Sequence, residues 1–225
     1  MNMNVDDLQY LLGMAGTVAF AVTAVCAVTP RGIDPWGACV MGLITAIGGG
    51  TIRDLILGVP VFWAADLNYI WVSLASSLVA FFANRLMTRT VIYSSMLYID
   101  ALGVAMFAIQ AVNKVERLQF ALPLGPILLG VITAIGGGLL RDVLAGNTTL
   151  LMRKEYYAIP VTIGCTLDVI LVALWPGHTV TISFGCSALI FALRAAAIHW
   201  DLGVPDWMMT KAKQARPGWA APDPG

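Results

Sequence analysis

Seven stretches of this chain stay apolar over the length of a membrane crossing, and that pattern decides the solvent in which it folds. A span needs about 20 largely apolar residues, with a range of about 17–25. Residues 8–28, 36–58, 67–84, 91–112, 122–145, 157–175 and 179–200 each meet the requirement. Composition agrees: 59% of the 225 residues are hydrophobic, 12% are charged, and the mean hydropathy is +0.81. Soluble domains carry about 25% charged residues, so a soluble core of this size has no room for the apolar excess. The breaks carry turn chemistry: Pro30-Arg31-Gly32 with Asp34-Pro35, a segment at 84–90 with Arg85 and Arg89, a polar stretch at 113–117, and Pro176-Gly177-His178. The expectation is an all-α membrane protein forming a single transmembrane domain over 1–225. Within it are a first three-helix repeat at 8–87, a second at 91–175, a seventh helix at 179–200 and a flexible cytoplasmic tail at 208–225 rich in Pro, Gly and Ala. Met1 to Asp7 holds two acids and no base, unlike a signal peptide, so the first span is expected to stay in the mature chain.

The repeat is written in the sequence. Thr45 to Asp54 reads TAIGGGTIRD and Thr133 to Asp142 reads TAIGGGLLRD, identical at eight of ten positions with an offset of 88. At the same offset Pro35 matches Pro123, Gly37 matches Gly125, Gly42 matches Gly130, Gly58 matches Gly146 and Tyr69 matches Tyr157. An odd number of spans per unit makes the second copy enter from the opposite side, so the repeats are inverted. Glycine-broken helices at matching places in inverted repeats point to a path near the bilayer midplane. The expected architecture is therefore two inverted three-helix repeats with broken second and fifth helices, plus a seventh helix without counterpart.

Orientation follows from the bases near span ends. One side collects Arg31, Arg85, Arg89, Arg153, Lys154, Lys211, Lys213 and Arg216, while the other has only Lys114 and Arg117. The richer side is the cytoplasmic one, which puts the C-terminus inside and the N-terminus outside. The formal net charge of zero gives no reason to expect a nucleic-acid partner.

Three consecutive glycines in a membrane helix either let a neighbouring backbone approach closely or allow unwinding that frees carbonyls. The candidate path residues are Gly48, Gly49, Gly50, Gly136, Gly137 and Gly138, with Thr45 and Thr133 one turn earlier and Asp54 and Asp142 just beyond. The candidate charge network is Arg53, Arg141, Asp100, Asp168 and Arg194. Charges at such depth cost at least ~2.5–3.5 kcal/mol each and face a polar cavity or an opposite charge. Adjacent helical residues do not face one another, so cross-pairing of Arg53 with Asp142 and Arg141 with Asp54 is the expected arrangement. Four acids against three bases leave a slight negative excess that suits a cation. The bland reading of the same features is close packing around a structural ion-pair network.

Other residues offer less. Cys26, Cys39, Cys165 and Cys186 show no metal-ligand spacing and read as small buried thiols. His178 and His199 are interfacial, and Trp36, Trp63, Trp71, Trp175 and Trp200 fall near membrane boundaries, as aromatic anchors do. Ser and Thr have no base beside them, so no catalytic constellation, cofactor site or metal site is expected. GGGTIRDLILG resembles a nucleotidyltransferase signature, but the stretch after it has the lone acid Asp66 where two-metal catalysis needs paired carboxylates.

The doubled AIGGG-x-x-RD units resemble the bacterial relatives of the trimeric intracellular cation channels. So do Pro35-Trp36-Gly37, Pro60-Val61-Phe62-Trp63 and Leu202-Gly203-Val204-Pro205. The resemblance covers about residues 8–207. It implies a homotrimer in the bacterial inner membrane, each protomer holding its own pore between kinked second and fifth helices and passing potassium, sodium or other monovalent cations amid membrane lipid. Members of the same family are also labelled small neutral amino-acid (glycine) transporters, and the motifs do not separate the two activities. The eukaryotic channels match the pattern only loosely, and their gating lysine and lipid-binding bases have no assigned position here.

Overall fold

The computed structural model describes residues 4–84, 88–153, 155–203 and 205. The expected tail at 208–225 lies outside them, as do Arg85 and Lys154. The elements are α1 (Val5–Val28), α2 (Pro35–Leu57), the short α3 (Phe62–Ala65), α4 (Asn68–Asn84), α5 (Arg89–Arg117), α6 (Leu124–Leu144), α7 (Ala158–Leu174) and α8 (Thr179–His199). Three 3-10 turns connect them at Thr29–Arg31, Leu150–Met152 and Pro176–His178. Among the described residues the only β pairing is a single antiparallel bridge between Glu155 and Gly203.

Local chemistry sets the ends. Asn4 and Asp7 form a reciprocal capping box at the start of α1, with Asn4 Oδ1 accepting from the Asp7 amide at 2.8 Å and Asp7 Oδ2 from the Asn4 amide at 3.1 Å. Asp34 caps α2 by accepting from the Trp36 and Gly37 amides, and Pro35 occupies the first helical position, where no amide is needed. α2 stops at Gly58, whose φ of 66° is the left-handed conformation that glycine adopts without strain. Gly146, its mate in the second repeat, has φ 59° just after α6. The matching glycines of the sequence therefore mark matching left-handed turns.

Five helical stretches are long and apolar enough to cross a membrane: Val5–Arg31, Pro35–Leu57, Thr90–Arg117, Leu124–Leu144 and Pro176–His199. α4 and α7, 17 residues each, are at the short end of a spanning length. The seven together are the seven transmembrane helices of the fold. α1, α2 and α4 form the first repeat and α5, α6 and α7 the inverted second. The repeats meet through α1 against α5 and α2 against α6, and α8 packs on α5 and α7 of the second repeat.

Lipid gives helices no hydrophobic reason to associate, so close packing carries the contact. Gly16 lies under the Phe107 ring, Gly103 lies under the Phe20 ring, and those two rings stand 5.2 Å apart between α1 and α5. Leu8, Leu12, Val104, Ile109 and Val112 are wholly buried around them. The tryptophans behave as boundary residues: Trp36, Trp71, Trp175 and Trp200 are largely exposed, while Trp63 donates Nε1–H to Thr51 at 3.0 Å. All four cysteines are free and buried.

Two ends of the bundle can be told apart by their contacts. Asp6 pairs with Arg117 at the end where α1 begins, the N-terminal face. Arg31 donates to Gly146 and Asn147, and the Tyr156 amide to Leu202, at the opposite, C-terminal face.

Candidate functional site

α2 and α6 cross at their glycine triplets, and the crossing obeys the repeat. A Cβ at Gly49 would strike the Thr133 carbonyl oxygen, and a Cβ at Gly137 would lie 2.5 Å from the Thr45 carbonyl oxygen. Gly48 faces Leu140, and Gly136 faces Ile52. Each contact maps onto its partner under the offset of 88. The helices run in opposite senses, with backbone against backbone at the midpoint. Both remain α-helical through the triplets. The expected break is therefore a close approach rather than an unwinding, and carbonyls freed by unwinding are not part of the site. The hydroxyls differ: Thr133 Oγ1 donates to the Leu129 carbonyl at 2.6 Å, while the buried Thr45 Oγ1 has no partner among the described residues.

Beyond the crossing, each helix carries an Arg-Asp clamp. Arg53 Nε meets Asp54 Oδ1 at 2.8 Å, and Arg141 Nε meets Asp142 Oδ1 at 2.8 Å. Asp54 Oδ2 accepts the Phe62 amide at 2.9 Å, and Asp142 Oδ2 accepts the Leu150 amide at 3.0 Å. Each aspartate thus ties the end of its helix to a backbone amide eight residues on.

The cross-pairing expected from sequence does not occur. The two clamps lie on opposite sides of an antiparallel crossing, four to five residues from it, so at 1.5 Å per residue roughly 12–15 Å of rise separates them. The rule that neighbours do not face each other yields here to the reach of arginine, whose Nε folds back onto the next side chain.

Both clamps lean on α5. Arg53 Nη1 donates to Gln110 Oε1 at 2.7 Å, and Arg141 Nη1 pairs with Asp100 Oδ1 at 2.7 Å. The Tyr157 hydroxyl donates to Asp100 Oδ2 at 3.1 Å, and the Arg194 guanidinium stacks 4.4 Å from the Tyr157 ring centre. Arg194 Nη1 also donates to the Tyr156 carbonyl at 2.9 Å. Arg141, Asp142, Asp100 and Arg194 thus form one network on the C-terminal side. Asp168, assigned to it from sequence, stands apart, with no hydrogen-bond partner for either oxygen among the described residues.

Lys114 joins the first clamp without having been marked in the sequence. Its Nζ sits 2.8 Å from Asp54 Oδ1. With Lys114 counted, the buried acids Asp54, Asp100, Asp142 and Asp168 face four bases, and the negative excess read from sequence disappears. In the sequence Lys114 falls in the polar stretch at 113–117 and counts toward topology, but α5 runs on to Arg117. The available signal was its spacing of four from Gln110, which puts both on one helix face.

Two cavities open at opposite faces of the bundle, each beside one of the clamps. One of about 480 Å³ opens at the N-terminal face and is lined by Phe62, Gln110 and Lys114 among others. One of about 230 Å³ opens at the C-terminal face and is lined by Cys26, Asp142 and Leu150 among others. They are images of each other under the repeat: Lys114 corresponds to Cys26, Leu118 to Pro30, Val59 to Asn147, Pro60 to Thr148, Phe62 to Leu150 and Ala65 to Arg153. The pair Lys114/Cys26 is the telling difference. A tethered ammonium occupies Asp54, and a thiol stands at the equivalent place near Asp142.

Comparison with known proteins follows the same lines. The family model described as "Glycine transporter" matches residues 10–85 and again 97–173, once per repeat. A UPF0126 membrane protein of Vibrio cholerae is 38% identical over 91% of this chain and 85% of its own length. The UPF0126 inner membrane protein YadS of Escherichia coli K12 is 34% identical over 90% of this chain and 97% of its own. Among solved structures, the trimeric intracellular cation channel orthologue from Rhodobacter sphaeroides superposes with a TM-score of 0.80 at 33% identity, covering 86% of this chain and 98% of that one.

Proposed function

Because the chain belongs to the glycine-transporter family of membrane proteins, we propose that it is a cation channel of the inner membrane whose path runs between α2 and α6. The observation that carries the reading is the pair of repeat-related cavities at opposite faces, separated by a crossing at which the α2 and α6 backbones touch. A separation of α2 from α6 at Gly49 and Gly137, with the Phe20, Phe62 and Leu140 side chains that pack on the triplets turning aside, opens a path between the cavities. The Thr45 and Thr133 carbonyls, which already sit at the crossing, then face the path and replace part of an ion's hydration shell, weakly enough to release it. Potassium is the proposed main ion, with sodium also passing.

Lys114 sets the condition for entry from the N-terminal face. Its ammonium holds the Asp54 oxygen that an incoming cation would use. Conduction therefore requires Lys114 to swing away, which its partial exposure to the cavity permits. The Rhodobacter sphaeroides orthologue is a trimeric intracellular cation channel, and we extend the trimer to this chain. By the positive-inside rule, the face bearing Arg31 and Arg153 is proposed to be the cytoplasmic one.

A second reading has its own observation. A closed crossing between two cavities that open at opposite faces is also the geometry of alternating access in inverted-repeat transporters, and the family model's description names glycine. Potassium flux from liposomes separates the readings at the path itself. Gly49→Leu and Gly137→Leu each abolish flux if the crossing is the path, and wild-type flux in both variants removes the assignment.

A further inference from the structure

Asp168 on α7 is wholly buried, and neither carboxylate oxygen has a hydrogen-bond partner among the described residues. No Lys or Arg pairs with it there, in contrast to Asp54, Asp100 and Asp142, each of which meets a base within 2.8 Å. Its repeat mate in α4 is Ala80, so the acid belongs to something only the second repeat does. That difference coincides with α8, the helix without a counterpart, whose Ser183 and Cys186 are the polar neighbours of Asp168. Cys165, one turn earlier on α7, is the remaining titratable neighbour on its own element, and Glu116 and Asn113 approach from α5.

A bare carboxylate in this position costs several kcal/mol, and no Lys or Arg among the described residues offsets it. A counter-ion must therefore arrive from outside the protein. The described residues include no group of three metal-ligating side chains. The carboxylate is sealed by helix packing, and the occupant that needs no added space is a proton.

A polar line leads out to solvent. Ser183 Oγ accepts from Asn113 Nδ2 at 3.1 Å and can donate back to Asn113 Oδ1 at 3.4 Å. Asn113 in turn lines a groove of about 490 Å³ at the N-terminal face, together with Glu116 and Thr179.

We propose that Asp168 is a proton-binding site at the α7–α8 contact, loaded from the N-terminal face through Glu116, Asn113 and Ser183. Proton uptake moves one H⁺ from water onto one carboxylate oxygen, converting a buried anion into a neutral acid that α8 can pack against. Release leaves the anion beside only the Ser183 hydroxyl and the Cys186 thiol, with no charged partner among the described residues, and weakens that packing. The site lies off the α2–α6 crossing, so it stands whether the path carries ions or a small solute.

The test is infrared spectroscopy of the purified full chain in lipid vesicles at mildly acidic pH, comparing wild type with Asp168→Asn. The expected difference spectrum carries the C=O stretch of a carboxylic acid that the variant has lost. A difference spectrum carrying the carboxylate pair instead overturns the proposal. Asn mimics the neutral acid in shape, and a second measurement does not depend on the band. Thermal stability of the wild type is expected to fall as the pH is raised from acid to neutral, and that of Asp168→Asn is expected to fall less over the same range. Parallel pH profiles for the two proteins contradict a proton on Asp168.

Discussion

Alanine at Gly137 and alanine at its neighbour Gly136 make the sharpest comparison that the crossing allows. Both positions lie in the same triplet, both are buried and helical, and both substitutions remove the same glycine entropy, favouring the helix by about 0.8–1.0 kcal/mol. Their surroundings differ. At Gly136 a methyl group would find the Gly49 Cα at 3.4 Å and the Ile52 Cδ1 at 3.7 Å, which is ordinary contact. At Gly137 it would find the Thr45 carbonyl oxygen at 2.5 Å and two Phe20 ring carbons at 2.9 Å. The backbone oxygen is 0.9 Å inside the 3.4 Å at which ordinary contact begins, and it belongs to the other helix of the crossing. Overpacking of this kind costs about 1–3 kcal/mol. Gly136→Ala is thus expected to be neutral or stabilising by up to about 1 kcal/mol, and Gly137→Ala to be less stable than it by about 1–3 kcal/mol. At about 2–4 °C per kcal/mol for a chain of this length, melting midpoints of the two variants in one detergent should differ by about 2–12 °C. Potassium flux from liposomes should change in Gly137→Ala and persist in Gly136→Ala. Equal midpoints and equal flux in the two variants refute the backbone-on-backbone crossing.

Three further outcomes are expected. Lys114→Met removes the ammonium from Asp54 Oδ1 while Arg53 Nε still holds that oxygen and the Phe62 amide the other, so the fold should survive and flux should rise; unchanged flux ends the role of Lys114 as a tethered cation. Asp142→Ala leaves Arg141 Nε and the Leu150 amide without their acceptor, a loss of about 3–5 kcal/mol for breaking a buried pair. A midpoint close to wild type contradicts the clamp. Asp34, in the exposed turn before α2, accepts the Gly37 and Trp36 amides, and these bonds hold its carboxyl below the usual value of 3.8. Its contribution is full above that value and is lost as the pH falls through the lower folded value. Between neutral pH and acid, Asp34→Ala should therefore show a shallower loss of stability than wild type, and identical acid limbs contradict the cap.

Much of the fold was legible because the repeat copied itself. TAIGGGTIRD and TAIGGGLLRD fix the offset, and a three-span unit fixes the inversion, from which the antiparallel meeting of α2 and α6 follows. What one-dimensional spacing could not give was which partner each charge finds. Arg53 and Arg141 sit just before aspartates that helical geometry turns away, and only the length of the arginine side chain closes those pairs. Tyr157 was visible as the match of Tyr69, but its role depends on Asp100 and Arg194, distant in sequence and brought together by the packing of α5 and α8 around α7. Lys114 was hidden by a boundary error: a span ended at 112 where the helix continues to Arg117. Polar residues at a helix end look like loop in the sequence, and in this fold they line the mouth of a cavity.

The most direct test of the central claim is planar-bilayer recording of the purified, reconstituted protein under a potassium gradient. Discrete unitary currents that reverse near the potassium potential are predicted, and Gly137→Leu should silence them. An electrically silent bilayer, with saturable glycine uptake into liposomes made from the same preparation, contradicts the channel.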